Sequence, residues 1–351
     1  MKKINFVFPV LSLVMLVMFS CSNENPVKPD DSSQLDTARF NWQVTRMNYF
    51  TGGEMCTSFW SPDTNEVFMC SWNNYLVHYK DGQFSEIQYG SNIYLLYIDG
   101  VSPTEGYIVG CEYKNGIKTP HIERWNGNSF SNVPINYSLN KDFNVTGIFI
   151  KSSTEMWFSA PKGIIYKFDG YNLTQYYLLD TISWSNGFLY DENNRLRYLT
   201  EYFNTGIDTL QRDYVYEFDG QSWSKVYQDI FPVSTRIYGT FNNIIYAYGV
   251  TNIIYKLNNN ALTPEVIVKI NNGSIDLLAG NSLSNIIGFG TTINNPQTFF
   301  HWNGQKWSNE NIGNEGSTFI LSRKMINDNY FCAIKSSLNS SAYLYRGYRK
   351  H

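Results

Sequence analysis

One short phrase recurs seven times along this chain, and its spacing limits what the chain can fold into. A copy holds an apolar residue, often a Tyr, a polar residue, an aromatic, then Asp or Asn and Gly, often with a further aromatic downstream. The copies are Val77–Gly82 with Phe84, Ile122–Gly127 with Phe130, Ile165–Gly170, Val215–Gly220 with Trp223, Ile254–Asn259 where the Gly is lost, Phe299–Gly304 with Trp307, and the fragment Leu344–Arg346. Their second residues (78, 123, 166, 216, 255, 300, 345) step by 45, 43, 50, 39, 45 and 45. A fixed period of this size marks a repeat architecture, in which each unit buries its apolar face against its neighbours.

Asp-Gly or Asn-Gly between apolar runs signals a tight hairpin, because both residues tolerate the positive φ of a two-residue type I′ turn. A further short strand pair lies upstream of each phrase. In the first repeat, Met55–Trp60 and Val67–Trp72 flank the turn Ser61–Asn65. Four short strands per unit of about 45 residues is the pattern of a propeller blade. The expected fold is an all-β, seven-bladed β-propeller with four-stranded antiparallel blades. The last repeat stops after three strands, so Phe40–Val44, which resembles the fourth-strand phrase Gln221–Val226, is expected to complete the last blade and remove two open edges.

The N-terminus has a different character. Met1–Lys3 is basic, Ile4–Phe19 is almost wholly apolar, and the run ends Ser20-Cys21. The run is short for a membrane span and reads as a secretory leader. Residues 22–38 are rich in Asn, Asp, Ser and Pro, without aromatics, which is the composition of a tether. The expected organisation is a leader over 1–20, a tether over 21–38 and the propeller over 39–351. The Ser20-Cys21 junction resembles a bacterial lipobox. That resemblance implies lipidation at Cys21, a membrane partner through the lipid, and a place in the cell envelope at the outer membrane.

Net charge is −3, charged residues are 16% of the chain and no basic stripe occurs, which argues against nucleic-acid binding. Cys56 and Cys70 fall on two strands of one hairpin. They stand either as a disulfide in an oxidising compartment or as small buried apolar side chains, like Cys111 and Cys332. No Cys or His spacing suits a metal, so neither metal nor cofactor is expected. Asp81, Asp169 and Asp219 recur because the turn recurs, whereas catalysis needs one special site; no catalytic residue is assigned. The phrase also resembles the Asp-box of sialidases, but there one residue separates Asp from Gly, and the motif fails on that count.

The whole of residues 40–351 is similar to secreted and lipid-anchored bacterial β-propellers whose repeats end in aromatic-Asp-Gly-x-x-Trp. What the resemblance implies is a surface or periplasmic recognition module. A ligand site is expected where the second-to-third strand loops and the linkers between blades converge. Trp72, Tyr75, Tyr113, Trp184, Tyr202 and Phe203 lie in or beside those loops and are the candidate binding residues. Three functions stay open: non-enzymatic binding of a protein partner, which is the leading reading, glycan binding, and a carbohydrate hydrolase or lyase.

Overall fold

The computed structural model describes residues 40–49, 56–138, 142–178, 184–191, 193–202, 211–231, 235–241, 244–249, 253–258, 261–267, 273–282, 284–292, 298–310, 318–327, 330–337 and 342–349. The leader, the tether and Cys21 lie outside them, as does Phe203. The described residues all belong to one unit, Asp36–His351.

Strands account for nearly all of it. β1 (Phe40–Met47) comes first in the chain and joins the last sheet. The first sheet is β2 (Cys56–Asp63), β3 (Glu66–Ser71), β4 (Tyr75–Lys80) and β5 (Gln83–Gln88). The second is β6 (Ile93–Ser102), β7 (Glu105–Lys114), β8 (Ile117–Trp125) and β9 (Phe130–Asn132). The third has β10 (Asn136–Tyr137) outside β14 (Asn172–Tyr177), then β13 (Ile164–Phe168), β12 (Glu155–Ala160) and β11 (Gly147–Ser152). The fourth is β15 (Trp184–Tyr190), β16 (Leu196–Tyr202), β17 (Gln211–Phe218) and β18 (Trp223–Phe231). β19 (Thr235–Phe241) pairs with β20 (Ile244–Gly249), and β21 (Ile253–Asn258) with β22 (Ala261–Ile267). β23 (Gly273–Ser282), β24 (Asn285–Thr292), β25 (Thr298–Trp302) and β26 (Trp307–Glu310) follow. The last sheet runs β27 (Thr318–Asn327), β28 (Tyr330–Ser337), β29 (Ala342–Arg349) and then β1.

The molecule is an all-β propeller, but the expected seven four-stranded blades are corrected to five. Five sheets have the four-stranded blade form, one has five strands, and β19–β22 form two separate pairs. The five-stranded sheet has a local cause. The linker after β9 is long enough to lay β10 in parallel along β14, with Asn136 N–H donating to the Tyr171 carbonyl at 2.8 Å. First strands touch in succession, β2 beside β6, then β11, β15, β19, β23 and β27, and β27 returns to lie beside β2. β1 pairs antiparallel with β29 from Phe40↔Arg349 to Met47↔Ala342.

The core lies between sheets. Strand alternation sends one residue to each neighbouring sheet. Phe59, Val67, Met69, Val77 and Tyr79 meet Met47, Ala342 and Leu344 on one side of the first sheet, while Trp60, Phe68, Cys70 and Leu76 meet Leu95, Ile98 and Ile108 on the other. Each fully buried large side chain contributes roughly 1.5–3 kcal/mol. Among the described residues this absorbs most of the aromatic side chains. Cys56 packs on the first of these faces and Cys70 on the second; both are buried and no disulfide joins them, Cys56 Sγ donating instead to Ser58 O at 3.4 Å.

The repeated phrase builds two kinds of turn. Asp81 and Gly82 both have positive φ (48° and 88°), as a two-residue turn needs, and Lys80 faces Gln83. In the copies at 126, 169, 219 and 303 the turn is longer. One Asx side-chain oxygen accepts the backbone N–H groups two and three residues on, at 2.6–3.0 Å. The two-residue expectation is corrected for these four. The second aromatic keeps its place opposite the first in both kinds of turn: Tyr79 faces Phe84 across the short turn, and Trp125 faces Phe130, Phe218 faces Trp223 and Trp302 faces Trp307 across the long ones.

Candidate functional site

Antiparallel alternation puts the β3–β4 and β7–β8 connections and the β5–β6 linker at one rim of the first two sheets, opposite the Asx-Gly turns. Trp72 leaves the end of β3 and is 63% exposed. Its loop is fastened to its surroundings: Leu95 N–H donates to Asn73 O at 2.9 Å, and Tyr89 N–H to Asn74 O at 2.8 Å. Tyr94, early in β6, and Tyr113, late in β7, are 37% and 41% exposed. Their rings meet edge to face with centroids 5.4 Å apart. The Lys118 ammonium stands 5.5 Å above the Tyr113 ring.

Polar groups frame these rings. Tyr113 N–H donates to Asn92 O at 2.7 Å, and the Asn92 side-chain amide donates to Glu112 Oε1 at 3.0 Å. Lys114 Nζ sits 2.7 Å from Glu112 Oε2 and its hydrogen bond holds the Glu112 carboxyl below the usual range. Asp142 Oδ1 accepts Lys118 N–H at 3.0 Å. The Asn115-Gly116 turn, with φ of 54° and 80°, holds Tyr113 and Lys118 on facing strands. The arrangement can offer ring faces, amides and an ammonium to a ligand at the protein surface.

Of the sequence candidates, Trp72 and Tyr113 occupy this rim on adjacent sheets. Tyr75 is half-buried and packs on the cluster around Tyr79 and Leu344. Trp184 and Tyr202 begin β15 and end β16, and their side chains are outside the described residues. Sequence reasoning missed Tyr94, because it lies inside an apolar strand run.

Carboxylates are engaged within the sheets. Glu66 Oε1 lies 2.8 Å from His78 Nε2 and 3.3 Å from Lys80 Nζ. Glu105 Oε1 accepts the Tyr107 hydroxyl at 2.6 Å and Arg124 at 3.3 Å. Glu155 takes the Trp157 indole N–H at 3.2 Å, the Tyr190 hydroxyl and Lys151. These three stand at the start of the second strand in successive sheets, so they recur with the repeat. Glu123 binds the Tyr89 hydroxyl at 2.8 Å and His121 Nε2 at 3.1 Å. Burial, then the Glu123 charge, pushes the Tyr89 phenol well up. Burial likewise raises the Cys70 and Cys111 thiols, which makes them poor nucleophiles. His301 Nε2 is 2.9 Å from Asn285 Oδ1. Among the described residues, no group of His, Cys, Asp and Glu could hold a metal ion.

No family model matches the chain, and no curated protein matches it. Solved structures do share its fold. YCF48 bound to a D1 peptide superposes with a TM-score of 0.60 at 13% identity, covering 88% of this chain and 97% of that one. A streptogramin B lyase gives 0.57 at 12%, covering 88% and 97%. Virginiamycin B lyase from Staphylococcus aureus gives 0.59 at 12%, covering 87% and 99%. All belong to the propeller class that the sheets define here. At such identities the likeness concerns the fold alone, and propellers host binding and catalysis alike.

Proposed function

We propose that this protein is a non-enzymatic recognition module for a protein partner, held to a membrane of the cell envelope through Cys21. The observation that carries the reading is the rim itself: Trp72, Tyr94 and Tyr113 are exposed on two adjacent sheets, while Glu66 and Glu105 of those sheets are engaged within their own sheets. Trp and Tyr are enriched among the residues that anchor protein interfaces. The YCF48 structure, which carries a D1 peptide, supports a propeller in such a role. The leader and the Ser20-Cys21 junction support the anchor.

A photo-crosslinking amino acid at Tyr113 in the full-length protein, expressed in its native cells, tests this. A discrete protein adduct is expected. It should be lost on Trp72→Ala and absent when the crosslinker sits at Tyr171, which is 57% exposed at the opposite edge. Equal adducts at both positions, or none at Tyr113, would sink the reading. Incorporation of labelled fatty acid that is unchanged by Cys21→Ala would remove the anchor.

A second reading, a glycan ligand, is favoured by Asn92 and Glu112 beside the Tyr94–Tyr113 pair, where ring stacking and hydroxyl hydrogen bonds would both be served. Glycan-array binding lost on Trp72→Ala would support it.

A further inference from the structure

Each sheet has an outer strand whose far edge is unpaired unless something covers it, and proteins guard such edges with short strands, charged side chains and above all basic ones, Pro, bulges or a covering segment. The outer strands here carry these guards. β9 has three residues and β26 has four. β14 is covered by β10. β18 has an extra residue, Val226, opposite Val215/Tyr216 of β17 and carries Lys225; β22 has an extra residue, Glu265, opposite Ile254/Tyr255 of β21 and carries Pro264. β1 carries Arg46, and its Phe40 N–H and Trp42 indole N–H are turned to Glu310 of the adjoining sheet. β5 differs. It has six residues, Gln83-Phe84-Ser85-Glu86-Ile87-Gln88, paired with β4 without a bulge; its one charged side chain is the acidic Glu86, and it has no Lys, Arg or Pro. Five of the six are exposed, Ile87 among them.

We propose that β5 is a strand-addition site: an extended segment of the protein partner pairs with its outer edge, which no strand covers among the described residues, main chain to main chain. This rests on the protein-recognition reading above and names its mode. The chain already does this to itself, since β10 from the linker adds to the outer edge of β14. The geometry of β5 states which atoms are available. Lys80 and Gln83 flank a two-residue turn, so they form a hydrogen-bonded pair, and the bonds to β4 then alternate through Ser85 and Ile87. The backbone groups of Phe84, Glu86 and Gln88 point away from β4. Glu86, whose side chain accepts from Gln88, gives the edge an acidic side chain and favours a basic residue in the added strand. Gln88 lies across from Tyr75, and the linker that follows binds Asn74 through Tyr89, so the outer edge leads to the rim that carries Trp72.

Glu86→Pro separates this from other kinds of docking. It removes an outward N–H and no bond to β4, whereas Glu86→Ala removes only the side chain. With a photo-crosslinker at Ile87 in the full-length protein in its native cells, the adduct should fall more than about tenfold on Glu86→Pro, the loss of about 1.4 kcal/mol of binding. On Glu86→Ala it should fall at most about fivefold, the scale of one cross-strand charge pair. Gln88→Pro, at the end of the strand, serves in the same way if the circular dichroism of Glu86→Pro shows a disturbed fold. Equal losses for Pro and Ala, or no loss on either, would overturn strand addition. So would an adduct with a second copy of this chain. An adduct at Tyr113 with none at Ile87 would overturn this mode and leave the protein-recognition reading standing, whereas an absence at both positions overturns both.

Discussion

A single carboxylate or amide oxygen organises each long Asx-Gly turn. Asp219 Oδ1 accepts the N–H groups of Gln221 and Ser222 at 2.8 and 2.7 Å, and Asp169 Oδ1 those of Tyr171 and Asn172 at 3.0 and 2.6 Å. Hydrogen bonding to the ionised form favours it. The Ser222 N–H holds the Asp219 carboxyl below its usual range, and the Asn172 side-chain amide, then its N–H, does so for Asp169. A lowered folded value means that the unfolded chain takes up the proton first as pH falls. The contribution is therefore complete above the ordinary carboxylate value of about 3.9 and disappears as pH drops through the lower folded values. Asn keeps the accepting oxygen and cannot titrate in this range, as Asn126 and Asn303 show in the same turn. The double variant Asp169→Asn/Asp219→Asn should match the parent melting temperature within about 1 °C at pH 7, since both sites are surface turns. It should lose less than the parent between pH 5 and 2. Parallel melting curves across that range would show that the carboxylates do no more than amides do.

Neighbouring blades interlock through large rings set against glycine. Trp60 of β2 stacks on Phe68 with centroids 5.8 Å apart and meets Trp125 edge-on at 6.4 Å. Its far side lies on β7, where a Cβ at Gly106 would come within 2.6 Å of the indole ring. Trp60 is 3% exposed and has nowhere to retreat. Gly106→Ala should thus cost about 1–3 kcal/mol of overpacking, read as a lower urea midpoint at unchanged m-value. Trp60→Phe in the same chain should recover part of it; no recovery would place the strain elsewhere. This contact shows where the sequence stopped being readable. The repeat, its hairpins and its aromatic pairs follow from local order, because turn chemistry and cross-strand pairing act within about ten residues. Which glycine faces which tryptophan depends on the neighbouring blade. So does the separation of Cys56 from Cys70, which sequence put on one hairpin and the sheet puts on opposite faces. The strand count failed where a linker could choose its own edge, as β10 did. At the rim, Trp72 and Tyr113 were legible as loop aromatics beside turn residues. Tyr94 was not, because its exposure comes from its place at the top of an inner strand and not from its neighbours in sequence.

At the scale of the whole molecule, the two ends of the propeller meet in one small set of contacts. β1 and β29 pair across eight positions, β27 lies beside β2, and Lys324 of β27 forms an ion pair with Asp99 of β6. Contacts between residues so far apart in sequence carry a high loop-closure cost and form late in folding. Arg346 is the residue that joins most of these parts. It is 3% exposed on β29. Its Nη1 donates to Thr64 O at 2.9 Å in the β2–β3 turn, and its Nη2 reaches the Tyr79 hydroxyl on β4 and Gln43 Oε1 on β1. The guanidinium also lies 4.4 Å from the Tyr79 ring centroid. One side chain therefore holds the last sheet, the N-terminal strand and the first sheet in register. Arg346→Met keeps the apolar stem but leaves the Thr64 carbonyl and the Tyr79 hydroxyl short of a buried donor. A hydrogen bond to a charged group contributes about 1.5–3 kcal/mol, so a loss of that order is expected in urea unfolding. The position of the loss is more telling than its size. β1 should open before the rest, exposing Arg46 to trypsin, and the variant should be cut there faster than the parent under native conditions. Arg346→Lys, which retains one point charge without the fork, should fall between the two. Equal cleavage rates at Arg46 in all three proteins would mean that the β1–β29 ladder holds the ends together without Arg346.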